Sequence, residues 1–278
     1  MDNYKKHFCT FADSRLSNSL NRIENQALNM DVFDKIFIYD ETKLDVEFRQ
    51  LLNSKLVFGS RGYGYWCWKP QIILQTLLSV QEGDVIQYTD SGCHLNLNGR
   101  LRLLEYFDIA KKSESGILSF RSKNNWELKE GEKNYENLEY KYNKADLLAF
   151  FGVLDNPDIL NSVQYEAGII FIRKDNNTIR FIQDWINVFI NNFNLIDDSP
   201  SLRKNLDGFL DHRHDQSIYS LMCKLNGVSE LYSTEYYTES NWDELLNYPI
   251  WVKRDMDFGF SHRVKRKIKN LLKKIIKS

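Results

Sequence analysis

The amino-terminal part of the chain alternates short apolar runs with segments of helical periodicity, and few folds accommodate that alternation. Apolar runs of strand length lie at 7–11, 35–39 and 85–89. Between them, apolar residues recur every three or four positions at 16–27, 44–52 and 70–78, which is the spacing of a helix with one buried face. Strands that alternate with helices predict an α/β fold with a mostly parallel central sheet flanked by helices.

The rest of the chain continues this pattern less regularly. Further helices are predicted at 101–112, 179–193 and 215–226, and further strands at 116–120 and 165–173. The segment 123–144 is polar and irregular. The 278 residues contain neither an internal repeat nor a linker rich in glycine or proline. We therefore expect one domain over 1–260, followed by a separate tail over 261–278.

The tail is strongly basic, whereas the rest of the chain is acidic. Eight of the 37 Lys and Arg residues lie within 258–278, where there is no Asp or Glu, which leaves 29 basic against 38 acidic residues elsewhere. Apolar residues recur there at helical spacing, so the tail is predicted to be a basic amphipathic helix. Such a helix suits an anionic membrane surface, where each cation contributes about 1 kcal/mol. The alternative is a helix that docks its apolar stripe on the domain. We expect no nucleic-acid binding, because the rest of the chain is acidic.

Cysteine usage and hydropathy indicate a cytoplasmic protein. The four cysteines have no C-x-x-C spacing, which predicts neither a zinc cluster nor a disulfide framework and suits a reducing compartment. No uncharged apolar run approaches the roughly 18 residues that span a bilayer, and the amino terminus is too short and polar for a signal peptide. We expect any membrane contact to be peripheral, on the inner face of the plasma membrane and through the tail.

The densest group of aromatic residues lies between Arg61 and Pro70, in the sequence RGYGYWCWKP. Its two glycines let the backbone approach a ligand while ring faces stack on it, and Arg61 and Lys69 offer donors suited to phosphate oxygens. The structural alternative is an aromatic corner that anchors a loop to the core. The segment carries no G-x-G-x-x-G or Walker pattern.

Three acidic residues lie at predicted element ends. Asp90 follows the strand 85–89, so it is expected at the carboxyl edge of the sheet, where open α/β folds bind ligands and where it could hold a divalent cation. Its alternative role is a turn that caps a helix. Glu166 lies at the head of the strand 165–173, as a substrate contact or as an exposed strand entry. Asp215 opens the helix 215–226 within the run DHRHDQS, whose donors and acceptors suit sugar hydroxyls or phosphate; capping explains only one acidic residue of that run.

The order of these motifs resembles that of GT-A glycosyltransferases over residues 7–225. Among them, the retaining enzymes of the glycogenin and LgtC galactosyltransferase type carry an Asn-[Ala/Ser]-Gly strand, similar to Glu166-Ala167-Gly168, and an Asp-Gln helix start, similar to Asp215-Gln216. The Gly-Tyr-x-x-Trp-Lys-Pro and His-Asp-Gln-Ser patterns also resemble bacterial polysaccharide-biosynthesis proteins. The chain departs from the family at Asp90-Ser91-Gly92, where glycine replaces the second carboxylate of the Asp-x-Asp metal motif.

The resemblance implies a GT-A (Rossmann-like) domain that transfers a sugar, with weakly favoured retention, from a nucleotide diphosphate. The implied donor is a UDP-hexose and the implied acceptor a glycan or a lipid-linked glycan of capsule or lipopolysaccharide assembly. Asp90, helped by His94 or His262, would hold Mn²⁺ or Mg²⁺. The implied catalytic residues are Asp215, Gln216 and Glu166. The other residues expected to bind the donor are Thr10, Phe11, Ala12, Asp13, Arg61, Trp66, Trp68, Lys69, Ser91, Gly92, His214 and Arg263.

Two other functions remain open from the sequence. A sugar nucleotidyltransferase uses a similar sheet, but it normally carries a glycine-rich basic loop for a triphosphate after the first strand, and the segment after Phe11 has none. A glycan-binding scaffold protein without activity would account for the incomplete Asp-x-Asp motif. It would leave the cations Arg61 and Lys69 without an anionic ligand.

Overall fold

A six-stranded sheet forms the centre of the chain, in the strand order β2-β1-β3-β6-β5-β7. The structure is a computed structural model that describes residues 4–130, 136–239 and 241–256. Five of the six strands run in one direction and only β6 runs against them, so the predicted mostly parallel sheet is confirmed. The strands are β1 Lys6–Phe11, β2 Lys35–Tyr39, β3 Val85–Thr89, β4 His94–Leu95, β5 Ile117–Arg121, β6 Tyr165–Arg173, β7 Ser229–Tyr232 and β8 Ile250–Trp251, of which β4 and β8 pair in a separate small sheet.

Helices cover both faces of the sheet. They are α1 Ser17–Met30, α2 Val46–Leu51, α3 Gly62–Tyr65, α4 Trp68–Ser79, α5 Arg100–Lys112, α6 Glu139–Tyr142, α7 Ala145–Phe150, α8 Pro157–Leu160, α9 Asn176–Asn191 and α10 Asp215–Asn226. Short 3₁₀ turns lie at Ser14–Leu16, Leu97–Gly99, Asn125–Glu127, Phe193–Leu195, Ser233–Glu235 and Trp242–Leu245. Among the described residues, no helix has the length and apolar character needed to span a membrane.

The sheet separates two hydrophobic cores, because alternate residues of a strand point to opposite faces. Cys9 of β1 packs with α4, α9 and α10, whereas its neighbour Phe8 packs with α1 and α5. The fully buried Trp185 of α9 lies in the first core and the fully buried Phe107 of α5 in the second. The result is a helix–sheet–helix sandwich, as predicted for a single α/β domain.

Local signals fix several element ends. The Asp175 carboxylate accepts a hydrogen bond from the backbone N–H of Thr178, and the Thr178 hydroxyl accepts one from the Asp175 N–H, which caps α9. At the end of α10, Gly227 adopts a left-handed backbone with φ of 61°, a conformation that costs glycine little. The cap at Asp175 explains why α9 begins at Asn176, three residues before the predicted start at 179. The cap at Gly227 explains why α10 ends at Asn226, as predicted.

The sequence misplaced or missed a few elements. The polar segment 123–144, predicted as irregular, contains the helix α6, whereas residues 56–59 contain a turn, which is one of the two predicted alternatives. Strand β7 was not predicted, because it has four residues at the sheet edge and none is buried. The division into 1–260 and 261–278 stays a prediction, since the tail lies outside the described residues.

The fold brings five chain segments to one edge of the central sheet. Strands β1 and β3 end there, and β6 begins there because it runs in the opposite direction. The amino terminus of α10 lines a cavity at this edge, together with residues that follow β8. The β4–β8 pairing holds that last segment against the turn after β3, where the Asp255 N–H donates to the Gly92 carbonyl over 2.9 Å.

Candidate functional site

A cavity of about 860 Å³ opens at this edge of the sheet, within the range typical of small-ligand sites. Most of the residues predicted to form a site line it. These are Phe11, Ala12, Asp13, Arg61, Trp66, Trp68, Lys69, Asp90, Ser91, Gly92, Glu166, His214, Asp215 and Gln216. Four separate sequence motifs therefore meet at one place.

Of the predicted site residues that the structure describes, Thr10 does not line the cavity. Thr10 is fully buried behind it, and its hydroxyl donates to the Thr89 carbonyl over 2.7 Å, so Thr10 holds β1 against β3 and does not reach a ligand. Arg263 and His262 lie outside the described residues.

Lys69 connects two of the predicted acidic residues. It lies in the first turn of α4 with its side chain only 3% exposed, and its Nζ is 2.6 Å from Asp215 Oδ2 and 3.5 Å from Asp90 Oδ1. Removing an ammonium group from water is costly unless carboxylates pair with it. The ion pairs with Asp215 and Asp90 outweigh the effect of burial and raise the pKa of Lys69, which keeps this side chain charged.

Asp215 is the first residue of α10 and is almost completely buried. Burial raises the pKa of its carboxyl to about 6, while the neighbouring Lys69 opposes the rise and Asp90 adds to it. The positive end of the helix dipole also favours a negative charge at this position. At pH 7 Asp215 is therefore a buried carboxylate held by one ammonium group at the wall of the cavity.

Asp90 is positioned by the strands around it. Its backbone N–H donates to the Gly168 carbonyl over 2.9 Å, and its Oδ1 accepts a short hydrogen bond from the hydroxyl of Tyr88. The absence of a side chain at Gly168 leaves room for the other oxygen of the Asp90 carboxylate, because a Cβ at position 168 would lie 3.2 Å from Asp90 Oδ2. Its predicted location at the carboxyl edge of the sheet is what the structure shows.

Glu166 faces the same cavity from the head of β6. Burial raises the pKa of its carboxyl, and the positive charges of Arg213 and Arg254 oppose that rise. Asp90, Glu166 and Asp215 thus bring three carboxyl groups to one cavity, each from a different element. A raised pKa suits a group that exchanges a proton near neutral pH.

The aromatic segment after Arg61 forms an unusual left-handed turn. Gly62, Tyr63, Gly64, Tyr65 and Trp66 all have positive φ, from 52° to 89°. For the three residues that are not glycine this conformation costs about 1–2 kcal/mol each. Glycine is required at position 62, where a Cβ would lie 2.4 Å from the Trp66 ring. Strain of this kind concentrates at functional sites.

The turn directs its side chains in ways that the sequence did not reveal. The Trp68 ring stacks on Phe11 with 4.0 Å between centroids, and its indole N–H donates to the Gly62 carbonyl, so it packs in the core at the wall of the cavity. Trp66 stacks on His214 at 5.8 Å. Trp68 therefore has the role of the predicted aromatic corner, and contact of this loop with a ligand stays a prediction.

The charged groups predicted to hold phosphate already have partners. Arg61 lies 3.1 Å from Asp198, and Lys69 is paired with Asp215. His214 has a left-handed backbone, and its Nδ1–H donates to the Ile196 carbonyl over 2.6 Å. Burial lowers the pKa of His214, so its ring is neutral at pH 7.

The cavity also contains residues that the sequence analysis did not select. The main ones are Arg15, Asn137, Arg213, Tyr236, Arg254 and Asp255. Arg213 lies within the run that was singled out around Asp215, so proximity in sequence was a usable signal. Arg254 follows β8, 164 residues after Asp90, and only the fold brings the two together.

The described residues do not form a metal site on their own. Gly92 stands where a second carboxylate would be needed, and Asp90 Oδ1 is already bound by Tyr88. His94 Nε2 lies 2.8 Å from Asp255 and its ring is held by Gln26, which gives this histidine a structural role. No group of three metal-ligating side chains occurs in the described ranges.

No family model matches the chain, and no curated protein matches it. The chain is similar to a glycosyltransferase involved in glycosylation of the major capsid of PBCV-1, with 7% identity, 89% of this chain and 93% of that chain covered, and a TM-score of 0.43. It is similar to mouse xyloside xylosyltransferase 1, with 9% identity, 88% and 96% covered, and a TM-score of 0.42. It is also similar to galactosyltransferase LgtC in complex with donor and acceptor sugar analogues, with 12% identity, 88% and 86% covered, and a TM-score of 0.41. All three of these solved structures are glycosyltransferases by name.

Proposed function

We propose that this chain is a glycosyltransferase that moves a sugar from a nucleotide diphosphate to an acceptor hydroxyl. The observation that carries the proposal is the convergence of Asp90, Glu166 and Asp215 with several basic side chains in one cavity at the carboxyl edge of the sheet. Open α/β folds bind nucleotides at this edge. A cavity that contains both carboxylates and cations suits a donor with an anionic diphosphate and a sugar that becomes positively charged during transfer.

The carboxylates would act on the sugar. In the transfer, the bond between the anomeric carbon and the diphosphate breaks, and the diphosphate leaves with the bonding electrons. The acceptor oxygen forms the new bond and gives up its proton. We assign the proton transfer to Glu166, because its carboxyl group faces the cavity and burial raises its pKa. We assign the stabilisation of positive charge on the sugar ring to Asp215, which Lys69 keeps ionised at pH 7.

The rest of the cavity would hold the nucleotide. Phe11, Ala12 and Asp13 follow the end of β1 and line one side. Trp66, half-buried and stacked on His214, offers a ring edge at the rim. Gln216 lies beside Asp215 at the start of α10 and donates to Gln164 over 3.2 Å, which fixes its amide near the sugar position.

The finer features of the proposal come from the sequence. The resemblance supports a UDP-hexose donor, retention at the anomeric carbon and a role in capsule or lipopolysaccharide assembly. The basic tail supports contact between the enzyme and an anionic membrane that carries a lipid-linked acceptor. Sedimentation of the full chain with anionic and with neutral vesicles tests the membrane contact, and equal sedimentation with both would contradict it.

Turnover of nucleotide sugars by the full chain tests the activity. The assay follows release of the nucleoside diphosphate from a panel of nucleotide sugars, with and without simple glycosides as acceptors. We expect Glu166→Gln and Asp215→Asn each to reduce turnover at least about 100-fold, as loss of a group that acts in the transition state does. Asp207→Asn is the matched control, because this carboxylate is 94% exposed and does not line the cavity.

Thermal unfolding of each variant separates loss of activity from loss of fold. A ligand at 100 times its dissociation constant stabilises the protein by about 2.7 kcal/mol, so donor binding is also visible in this measurement. Full turnover in both cavity variants would refute the assigned roles. A protein that binds no nucleotide sugar but is stabilised by oligosaccharides would instead be a glycan-binding protein.

A further inference from the structure

Two arginines in the cavity form no salt bridge, unlike the other cations there, although both are near enough to Glu166 for their charges to oppose the rise of its pKa. Arg15 binds both oxygens of Asp13 over 2.7 Å, and Arg61 and Lys69 are paired with aspartates as described. Arg213 and Arg254, in contrast, form no salt bridge with any residue that the structure describes. Both line the cavity. An unpaired guanidinium in a cavity is a site for an anion, because its N–H groups bind phosphate oxygens in pairs.

The contacts that hold the Arg213 guanidinium in place are with uncharged groups. Its guanidinium lies over the ring of Tyr142 at 3.9 Å, and its Nη2 donates to Asn137 Oδ1 over 2.9 Å. Neither partner carries a negative charge. Arg213 is also two residues before Asp215, so it projects beside the amino terminus of α10, which itself favours anions.

Arg254 is held by the backbone on either side of it. Its φ is 54°, a left-handed conformation that is uncommon for arginine. The following residue, Asp255, donates its N–H to the Gly92 carbonyl, and its own carbonyl accepts from Arg22 over 3.2 Å. The backbone of Arg254 is therefore fixed beside the turn that follows Asp90, and its exposed side chain lines the cavity.

The backbone of Arg254 also occupies the space beside position 92. A Cβ on Gly92 would lie 3.5 Å from the Arg254 Cα and 3.8 Å from the Asp255 N. These are ordinary contact distances, so the segment that carries Arg254 packs directly against position 92. The position at which an Asp-x-Asp motif carries its second carboxylate is thus in contact with a segment that carries an arginine.

We propose that Arg213 and Arg254 bind the diphosphate of the donor directly, in place of a divalent cation held on Asp90. This inference rests on the proposed transferase function. The two guanidiniums would neutralise the charge that collects on the diphosphate as its bond to the sugar breaks. Asp90, bound to Tyr88 and close to Lys69, would then position Lys69 and its partner Asp215 and would not be a metal ligand.

Binding of UDP, UMP and inorganic pyrophosphate to the full chain tests this inference, by titration calorimetry in chelator and again with Mn²⁺ or Mg²⁺. GDP, CDP and ADP are titrated alongside, since the base is not established. We expect the dissociation constant of the diphosphate to change less than about 3-fold between chelator and metal. We expect Arg213→Met and Arg254→Met each to weaken diphosphate and pyrophosphate binding at least 10-fold and UMP binding much less.

Arg180→Met is the matched control, because Arg180 is exposed on α9 and does not line the cavity. If Arg213→Met does not fold because the contact with Tyr142 is lost, Arg213→Lys is measured in its place. Lysine keeps the positive charge, so we expect this variant to retain part of the diphosphate affinity. Diphosphate binding that weakens 10-fold or more in chelator, or that is unchanged in both methionine variants, overturns the inference and leaves the transferase proposal intact. If no nucleoside diphosphate binds under any condition, the proposed function and this inference are both wrong.

Discussion

Replacing Lys69 by methionine is the most informative perturbation of this protein. Methionine is similar in length and apolar, so Lys69→Met removes the ammonium group with little change in volume. The Asp215 carboxylate, which is almost completely buried, then loses the partner that lies 2.6 Å away. Breaking a buried ion pair by removing one partner typically costs about 3–5 kcal/mol, because the remaining charge is uncompensated.

The effect of pH has a definite sign. Burial already raises the pKa of Asp215 to about 6 from 3.8, and loss of Lys69 removes the effect that lowers it. Between the two pKa values the folded state holds a proton that the unfolded state has released, so the free energy of unfolding falls as pH rises. Lys69→Met is therefore expected to be more stable near pH 5 than near pH 8, and its deficit relative to the unmodified chain is largest above pH 7.

Urea unfolding at pH 5, 7 and 8 measures both effects. In thermal unfolding, a loss of about 3–5 kcal/mol in the free energy of unfolding would lower the melting temperature of a chain of this size by roughly 6–20 °C. The double variant Lys69→Met/Asp215→Asn removes the unpaired charge and is expected to recover at least about 1 kcal/mol relative to additivity. A cost below about 1 kcal/mol that is the same at all three pH values would refute the reasoning, since it would mean that the Asp215 carboxylate is not desolvated.

Three further predictions concern other parts of the fold. Gly99→Ala should lower the free energy of unfolding by about 1–3 kcal/mol in a denaturant titration, because its Cβ would lie 2.2 Å from the Pro249 N; a neutral result would contradict the close approach of the two segments. Arg121 lowers the pKa of Glu127 to about 2 from 4.5, so the stability that this pair contributes is present above pH 4.5 and is lost as pH falls toward 2. Glu127→Gln should flatten that part of the stability–pH curve, and an unchanged slope would show that the pair is not formed. Trp185→Ala should cost about 3–5 kcal/mol, since the indole is fully buried in the core between the sheet and α9; melting temperature checks this, and a loss below about 1 kcal/mol would place the ring outside the core.

Much of the fold was accessible from the sequence because local patterns are strong in this chain. The segments Val85–Thr89 and Tyr165–Arg173 are apolar runs that the structure shows as strands with the predicted bounds. Asp215–Asn226 begins and ends as predicted, because a capping glycine follows the last apolar turn. The direction of β6 was not predictable in this way, since a buried strand has the same composition whether its neighbours are parallel or antiparallel.

For the candidate site too, one part was predictable from the sequence and another part depends on the tertiary structure. The sequence predicted which motifs form a site, because they place charged and aromatic residues at the ends of strands and helices, and Asp90, Glu166 and Asp215 all line the cavity. Tertiary structure decided which of these groups are free to act. Lys69 is paired with Asp215, whereas Arg254 reaches the cavity from a segment with no motif of its own. Pairing and desolvation depend on distances between residues far apart in the chain, and no local pattern encodes those distances.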